Sequence, residues 1–324
     1  MSITLRKPPN VRRDWTDAEI RAIHDLPLPE LIHRAQGIHR QHHDPLRIQF
    51  CTLLNIKSGS CPEDCSYCAQ SGRYKTHVEP EPLIDVERVL EMAREARASG
   101  STRLCMGAAW REPRNPKDFE QVLRMVRGVR ALGLEACCTL GMLTREQASR
   151  LAGAGLTAYN HNLDTGPDYY EKIVSTHTFE DRLRTLRVVQ EAEIEVCCGG
   201  IIGMGESLPD RIALIRVLSS LDPHPGSVPI NVLVPVEGTP LAGSAPVEPL
   251  EVVRMVATIR VVLPGSRVRL SAGRLQMSDE AQALCFIAGA NSIFAGERLL
   301  TTPNPPADRD RILLEKLGMS VMTE

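Results

Sequence analysis

The stretch TRLCMGAAWREPRNPKDFEQVLRMVRGVRALGLEACCTL, Thr102 to Leu140, decides the fold class. It opens on a β-rich run, Thr102 to Ala109, continues as Asp118 to Ala131 with apolar residues recurring at three and four, and closes on a second β-rich run, Leu134 to Leu140. Strand, amphipathic helix and strand make a βαβ unit, and such units build parallel sheets. The alternation continues on both sides. Further β-rich runs at Phe50 to Ile56, Ala158 to Asp164, Ile194 to Gly203, Ser227 to Pro235, Arg267 to Gly273 and Ser292 to Gly296 bring the number to eight. Helix-like segments such as Asp85 to Ala98 and Leu250 to Val262 lie between them. Eight units in about 260 residues predict an α/β fold, a (β/α)8 barrel of TIM type. The expected organisation is a short N-terminal helical extension over 1–45, the barrel over 46–305 and a C-terminal helical tail over 306–324. An open doubly wound sheet is the alternative that strand counting leaves.

Parity along the runs favours the barrel, because alternate strand residues face either the helices or the lumen. Leu134, Ala136, Cys138 and Leu140 form an apolar set that leaves Glu135, Cys137 and Thr139 for the lumen. Ile194, Val196, Cys198 and Ile202 likewise turn Glu195, Cys197 and Gly199 inward. The same sorting turns in Arg103, Cys105 and Gly107, and also Arg269 and Ser271. Asn160, Asn162 and Asp164 share one side, and Asn231 is left for the lumen by the apolar Val228, Ile230, Val232 and Val234. Such a lumen is too polar for aliphatic layers and needs a ligand or cofactor to satisfy it.

Composition narrows the function classes. The 324 residues are 43% hydrophobic and 24% charged, ordinary globular usage that excludes disorder. With 38 Lys and Arg against 40 Asp and Glu, and only five Phe, five Tyr and two Trp, neither a basic surface nor a stacking platform suggests nucleic acid as a partner. No apolar run approaches the ~18 residues of a membrane span, and the opening MSITLRKPPNVRRDW lacks a signal peptide's apolar core. A cytoplasmic protein with no membrane partner is expected. In a reducing compartment the ten cysteines, at 51, 61, 65, 68, 105, 137, 138, 197, 198 and 285, read as ligands or nucleophiles rather than disulfides. His33, His39, His42 and His43 lack a regular ligand spacing and read as a solvated helix end.

The strongest chemical signal is Cys61-Pro62-Glu63-Asp64-Cys65-Ser66-Tyr67-Cys68, in the loop after the first strand run, at the mouth where barrel active sites gather. Three thiolates so close suit an iron–sulfur cluster with one iron left open to a chelating small molecule. A Cys3His zinc knuckle with His77 as fourth ligand, or three unligated thiols, are the competing readings. The run Gly199 to Glu206 lacks the Lys-Ser/Thr of a phosphate loop and the glycine spacing of a dinucleotide fingerprint. It reads as a barrel-mouth turn or a point of close backbone approach.

A CxxxCxxC so placed resembles the radical S-adenosylmethionine enzymes, and the chain from about Arg40 to Pro305 resembles their sulfur-inserting, biotin-forming branch. The likeness rests on Gly59 to Cys68, Cys105-Met106-Gly107-Ala108-Ala109-Trp110, Tyr159-Asn160-His161-Asn162-Leu163-Asp164-Thr165 and Val268-Arg269-Leu270-Ser271-Ala272-Gly273-Arg274. The resemblance implies that Cys61, Cys65 and Cys68 hold a [4Fe–4S] cluster whose free iron chelates S-adenosylmethionine. It implies that Cys105, Cys137, Cys197 and Arg269 hold a second, [2Fe–2S] cluster, with Arg269 counted among the catalytic residues beside the three loop cysteines. Tyr67, Asn162, Asp164, Arg182 and Ile201 are implied as S-adenosylmethionine contacts, and Asn160, Asn162 and Asn231 as dethiobiotin contacts. Neutral amides suit a cyclic urea and a carboxylate suits ribose hydroxyls, whereas Arg182 at a helix start also reads as a solvated charge.

The implied activity is radical insertion of sulfur at two unactivated carbons of dethiobiotin, with sulfide from the second cluster. The implied partners are an electron-donor protein such as a flavodoxin or ferredoxin and a second copy of the chain in a homodimer. Cys138 and Cys198, each beside an implied ligand, are sent by parity to the helix layer as small buried hydrophobes. A radical enzyme acting on another substrate, or a zinc-binding scaffold without chemistry, are the rival functions. The convergence of Cys105, Cys137, Cys197 and Arg269 argues for sulfur insertion.

Overall fold

Two helices precede the sheet, α1 (Asp17–His24) and α2 (Leu28–His42). The computed structural model describes residues 11–323, so the first ten residues of the expected extension lie outside the described part. The alternating runs then form β1 (Arg47–Lys57), β2 (Arg103–Ala108), β3 (Glu135–Thr139), β4 (Ala158–Asn160), β5 (Glu195–Cys197), β6 (Gly200–Ile202), β7 (Ser227–Val232), β8 (Arg267–Leu270) and β9 (Ser292–Phe294). All pair in parallel, and β9 returns to β1 through Gln49–Ser292, Phe50–Ile293 and Cys51–Phe294. That last pairing closes the barrel and excludes the open sheet.

The fifth stave departs from the single run expected over Ile194 to Gly203. β5 and β6 both pair with β7, but the chain leaves the sheet between them. A Cβ on Gly199 would stand 1.9 Å from the Pro229 carbonyl oxygen, so the backbone passes there only because glycine has none. The run that follows is a turn: Gly203 and Gly205 take φ of 97° and 98°, and Glu206 accepts from the Gly203 and Met204 amides at 2.9 and 2.8 Å.

Around the barrel lie α3 (Val86–Ala98), α4 (Pro116–Ala131), α5 (Arg145–Gly153), α6 (Pro167–Tyr170), α7 (Phe179–Glu191), α8 (Leu208–Ser220), α9 (Pro249–Val262), α10 (Asp279–Ile287) and α11 (Ala307–Lys316). Their apolar stripes meet the outward strand residues in one core. Leu104, Met106, Ala136, Cys138, Val196 and Cys198 are buried there with Val89, Val122, Leu186 and Ile215. Each fully buried Leu, Ile or Val contributes about 1.5–3 kcal/mol, which makes this layer the main source of stability.

Two further short pairings complete the chain. β10 (Arg298–Leu299) and β11 (Thr302–Pro303) form an antiparallel hairpin beside the mouth. β12 (Ser320–Val321) pairs in parallel with Arg47 and Ile48. The C-terminal tail is therefore not purely helical, since it adds a strand beside the start of β1.

The extension also differs from expectation at its histidines. α1 and α2 bury Ile20, Leu31 and Ala35, and the Arg254 guanidinium on α9 donates to the Leu26 carbonyl at 2.7 Å. His33 is exposed, but His39 is buried and His43 half-buried, because the last turn of α2 packs on α9. Burial, with the Arg260 guanidinium nearby, holds His39 down at about 3 and His43 at about 4. Arg40, His42 and Arg267 add to the positive surroundings. Both rings are thus neutral when folded, whereas an unfolded histidine protonates near 6.5. Below that pH the unfolded chain binds more protons. Stability is therefore expected to fall as pH drops from about 6.5, by up to about 1.4 kcal/mol per pH unit for each ring. Urea denaturation at pH 7.5, 6.0 and 5.0 checks this, and His39→Asn is expected to flatten the slope; parallel curves would remove the assignment.

Candidate active site

The three-cysteine loop begins with a forced turn. Gly59 and Ser60 take φ of 63° and 52°, and a Cβ on Gly59 would meet the Pro80 Cα at 2.9 Å. The loop is then pinned: the Cys61 amide donates to the Gln70 carbonyl at 3.0 Å, Gly72 to Cys61 at 2.7 Å, and Cys68 to Cys65 at 2.9 Å. Asp64 ties it to the segment after α6, accepting from the Ser175 and Thr176 amides at 3.0 and 3.2 Å. Burial works to raise that carboxyl, but the bonds from Ser175 and Thr176 hold it down at about 2. Cys65 is buried while Cys61 and Cys68 are half-buried. Burial pushes all three thiols up, Cys68 to about 11.

This donor set fits an iron–sulfur cluster. All three cysteines line one cavity of about 320 Å³ at the C-terminal ends of the strands. His77, the fourth ligand of the zinc reading, lies outside that lining with its Nε2 3.4 Å from the Thr301 carbonyl oxygen. Among the described residues no three His, Cys, Asp or Glu side chains are placed to share one metal ion.

Across the cavity Asp164, at a left-handed φ of 66°, is held between two partners. The Tyr67 hydroxyl donates to its Oδ2 at 2.8 Å and the Arg182 guanidinium at 2.9 Å. Arg182 is therefore not a solvated charge: its side chain is 13% exposed, because the Thr178 cap starts α7 one turn before it and aims it inward. The chain of contacts continues from Arg182 Nε to the Tyr170 hydroxyl at 2.8 Å, from there to His177 at 2.8 Å, and on to Glu63 at 2.8 Å. Glu63 closes it on Arg111 at 3.1 Å. Removing one member of a buried pair strands the other charge, so Arg182→Ala is expected to cost about 3 kcal/mol by urea denaturation. Asp164→Asn in the same chain should return part of that loss.

The amides sit between the mouth and the lumen. Asn160 Nδ2 donates to Cys197 Sγ at 3.2 Å and its Oδ1 accepts from Thr139 at 3.3 Å. Asn162 Oδ1 accepts from the Gly199 amide at 3.1 Å, and Asn231 bridges the Gly200 carbonyl and Ala272 amide at 3.1 and 3.3 Å. Ile201 adds an apolar wall to the same cavity.

Deeper in the barrel Cys105, Cys137, Cys197 and Arg269 come together from β2, β3, β5 and β8, each at most 2% exposed. Cys137 stands in register beside Cys105 on the neighbouring strand, and the Arg269 guanidinium reaches Cys197 Sγ at 3.5 Å. Burial disfavours the Arg269 charge, but the sulfurs of Cys51, Cys197 and Cys105 hold it protonated. Three adjacent buried thiols of this kind fit a thiolate-bound cluster. Cys105 reaches the cavity above, whereas Cys138 and Cys198 lie in the helix layer. The N-terminal end of the lumen is sealed by Arg103, paired with Glu135 at 2.7 Å and Glu195 at 2.9 Å.

Sequence reasoning missed the Glu63–His177–Tyr170 chain and the fourth lumen thiol, Cys51. Glu63 stood inside the cysteine motif without being singled out, and parity applied to the first run, with Leu54 and Ile56 outward, points Cys51 in.

Two family models match this chain: Radical SAM superfamily over residues 55–218, and Biotin and Thiamin Synthesis associated domain over residues 229–320. It is 62% identical over 322 residues to the biotin synthase of Methylobacterium sp. (strain 4-46), covering 99% of this chain and 97% of that one. It is 61% identical over 308 residues to the biotin synthase of Gloeobacter violaceus, covering 95% and 97%. Among solved structures, methylornithine synthase superposes with a TM-score of 0.79 at 19% identity, covering 95% of this chain and 94% of that one. The FeFe-hydrogenase maturase HydG from Carboxydothermus hydrogenoformans superposes with a TM-score of 0.80 at 17% identity, covering 95% and 76%. At those identities the two structures share the fold alone.

Proposed function

The chain belongs to the biotin synthase family of the radical S-adenosylmethionine superfamily, and from that premise we propose how its barrel converts dethiobiotin to biotin. The reaction inserts sulfur at two unactivated carbons at the expense of S-adenosylmethionine. The observation that carries our reading is the stacking within one barrel of a three-cysteine loop, a polar amide layer and a set of buried thiols. When bound, the [4Fe–4S] cluster supplies the electron that splits S-adenosylmethionine into methionine and a 5′-deoxyadenosyl radical, and the [2Fe–2S] cluster supplies the sulfide.

The protein's own work is binding, orientation and exclusion. Cys61, Cys65 and Cys68, which line the cavity from a loop pinned by backbone bonds, would hold the first cluster. Asp164, its carboxylate fixed by Tyr67 and Arg182, accepts from the ribose hydroxyls, with Asn162 and Ile201 alongside. Asn160, Asn162 and Asn231 pair with the cyclic urea of dethiobiotin, which has both donors and acceptors. Cys105, Cys137, Cys197 and Arg269, deeper in the barrel and joined to the amide layer through Asn160 and Cys197, would hold the [2Fe–2S] cluster. The β10–β11 hairpin and the closed N-terminal end keep water from the radical. Cytoplasmic residence, a flavodoxin or ferredoxin as electron donor and a homodimer belong to the same reading.

The test is anaerobic reconstitution with iron and sulfide, followed by reductant, S-adenosylmethionine and dethiobiotin, with products read by mass spectrometry. Two abstractions per biotin require two 5′-deoxyadenosines for each biotin. Deoxyadenosine without biotin would sink the sulfur-insertion reading, and neither product with iron bound would sink the radical chemistry as well.

A further inference from the structure

Arg182 is aimed into the cavity by its partners. Its Nε donates to the Tyr170 hydroxyl at 2.8 Å and its Nη2 to Asp164 Oδ2 at 2.9 Å. Nη1 has no partner among the described residues, so it is the guanidinium nitrogen left to meet a ligand. Tyr170 stands behind Arg182, outside the cavity lining, and its own surroundings hold it there. The four residues of α6 start against α8, where a Cβ on Gly166 would stand 2.4 Å from the Asp210 carbonyl oxygen. At the end of α6 the Tyr170 ring is fully buried and edge-on to Phe179, with centroids 5.4 Å apart and planes at 75°. Phe179 and Arg182 lie three apart on α7 and share a face: one holds the ring of Tyr170, the other takes its hydroxyl.

The next link fixes the direction of every bond. A guanidinium only donates, so the Tyr170 oxygen accepts from Arg182 and gives its one proton to His177 Nε2 at 2.8 Å. His177 Nδ1 then carries the ring proton and donates to Glu63 Oε2 at 2.8 Å. The His177 ring lines the cavity, but both its nitrogens are taken, so it acts on a ligand only through Tyr170 and Arg182. The His177–Glu63 bond is not needed to fasten the loop. Asp64 already ties the same segment through the Ser175 and Thr176 amides at 3.0 and 3.2 Å.

We propose that Tyr170 and His177 are positioning residues for S-adenosylmethionine: they hold Arg182 by its Nε, keep its Nη1 edge turned to the cavity, and tie that aim to the three-cysteine loop through Glu63. This rests on the reading of Arg182 as an S-adenosylmethionine contact. The effect is preorganisation. Without the Tyr170 hydroxyl, Arg182 keeps only its bond to Asp164, and the guanidinium must be ordered when the ligand binds. Affinity therefore falls, whereas the rate of cleavage once the ligand is bound does not.

The experiment is equilibrium dialysis of S-adenosylmethionine against the anaerobically reconstituted, unreduced protein, with iron and sulfide content read on the same samples. Tyr170→Phe keeps the ring and its packing and removes one hydroxyl. It is expected to weaken binding about tenfold at full iron and sulfide content. On addition of reductant, KM for S-adenosylmethionine should rise to match, with kcat for 5′-deoxyadenosine within about twofold of wild type. His177→Leu is expected to lose as much affinity as Tyr170→Phe, and His177→Gln, whose amide accepts from Tyr170 and donates to Glu63, to recover most of it. Arg182→Lys keeps a cation beside Asp164 but has no guanidinium edge to aim, so Tyr170→Phe should weaken binding no further in that background. Wild-type affinity in Tyr170→Phe, or a full second loss in the double variant, overturns the proposal. Wild-type affinity in Arg182→Lys overturns the underlying reading of Arg182 instead.

Discussion

Cys65→Ala is expected to abolish cleavage of S-adenosylmethionine, leaving 5′-deoxyadenosine undetectable by mass spectrometry after anaerobic reconstitution. Cys65 is the most buried of the three loop thiols and packs with Tyr170, Ile173 and Met204, so no solvent ligand replaces it readily. A polynuclear cluster that loses one of only three protein ligands has no second cysteine on that side of the loop. The loop itself should survive the change. Its anchors are backbone bonds, such as Cys68 to Cys65 at 2.9 Å and Ser66 to Ile173 at 2.9 Å, and the Asp64 carboxylate, none of which involves the thiol. Removing one sulfur atom from a small buried side chain costs about 1 kcal/mol. A variant that melts near wild type yet cleaves nothing separates lost chemistry from lost folding. Retained cleavage would falsify the three-thiolate assignment.

The barrel was legible because both of its signals are local. Period-two alternation told Cys137 from Cys138 and Cys197 from Cys198, since Ala136 and Val196 fix which parity meets the helices. What escaped notice depends on atoms far along the chain. The break between β5 and β6 follows from the Pro229 carbonyl against Gly199, thirty residues away, and no propensity at Gly199 itself announces it. Arg182 looked like a surface charge because its partner Asp164 belongs to another element, 18 residues earlier. His39 looked solvated because the α2 sequence alone does not say that α9 packs on its last turn. Cys51 is different: parity would have found it, and it was missed because the first run was read for its loop rather than for its faces.

The paired changes Cys197→Ala and Cys198→Ala test whether chemistry follows the lumen face of a strand rather than the sequence. The two thiols are adjacent in the chain and both fully buried, so composition, depth and local propensity treat them alike. They differ in what they touch. Cys197 Sγ receives Asn160 Nδ2 at 3.2 Å and Arg269 at 3.5 Å, whereas Cys198 packs among the aliphatic side chains of the helix layer, where burial pushes its thiol up. Cys197→Ala is expected to lose the auxiliary cluster and all biotin while 5′-deoxyadenosine still forms, because the three-cysteine loop and the Asp164–Arg182 pair stand in a separate layer. Cys198→Ala is expected to keep both products and to lose only about 1 kcal/mol of stability for the small cavity it leaves. If Cys198→Ala lost biotin and Cys197→Ala kept it, the sulfide would have to be delivered from outside the lumen. Arg103, between Glu135 and Glu195, blocks the barrel's N-terminal end, so such delivery would have to pass through the cavity at the mouth.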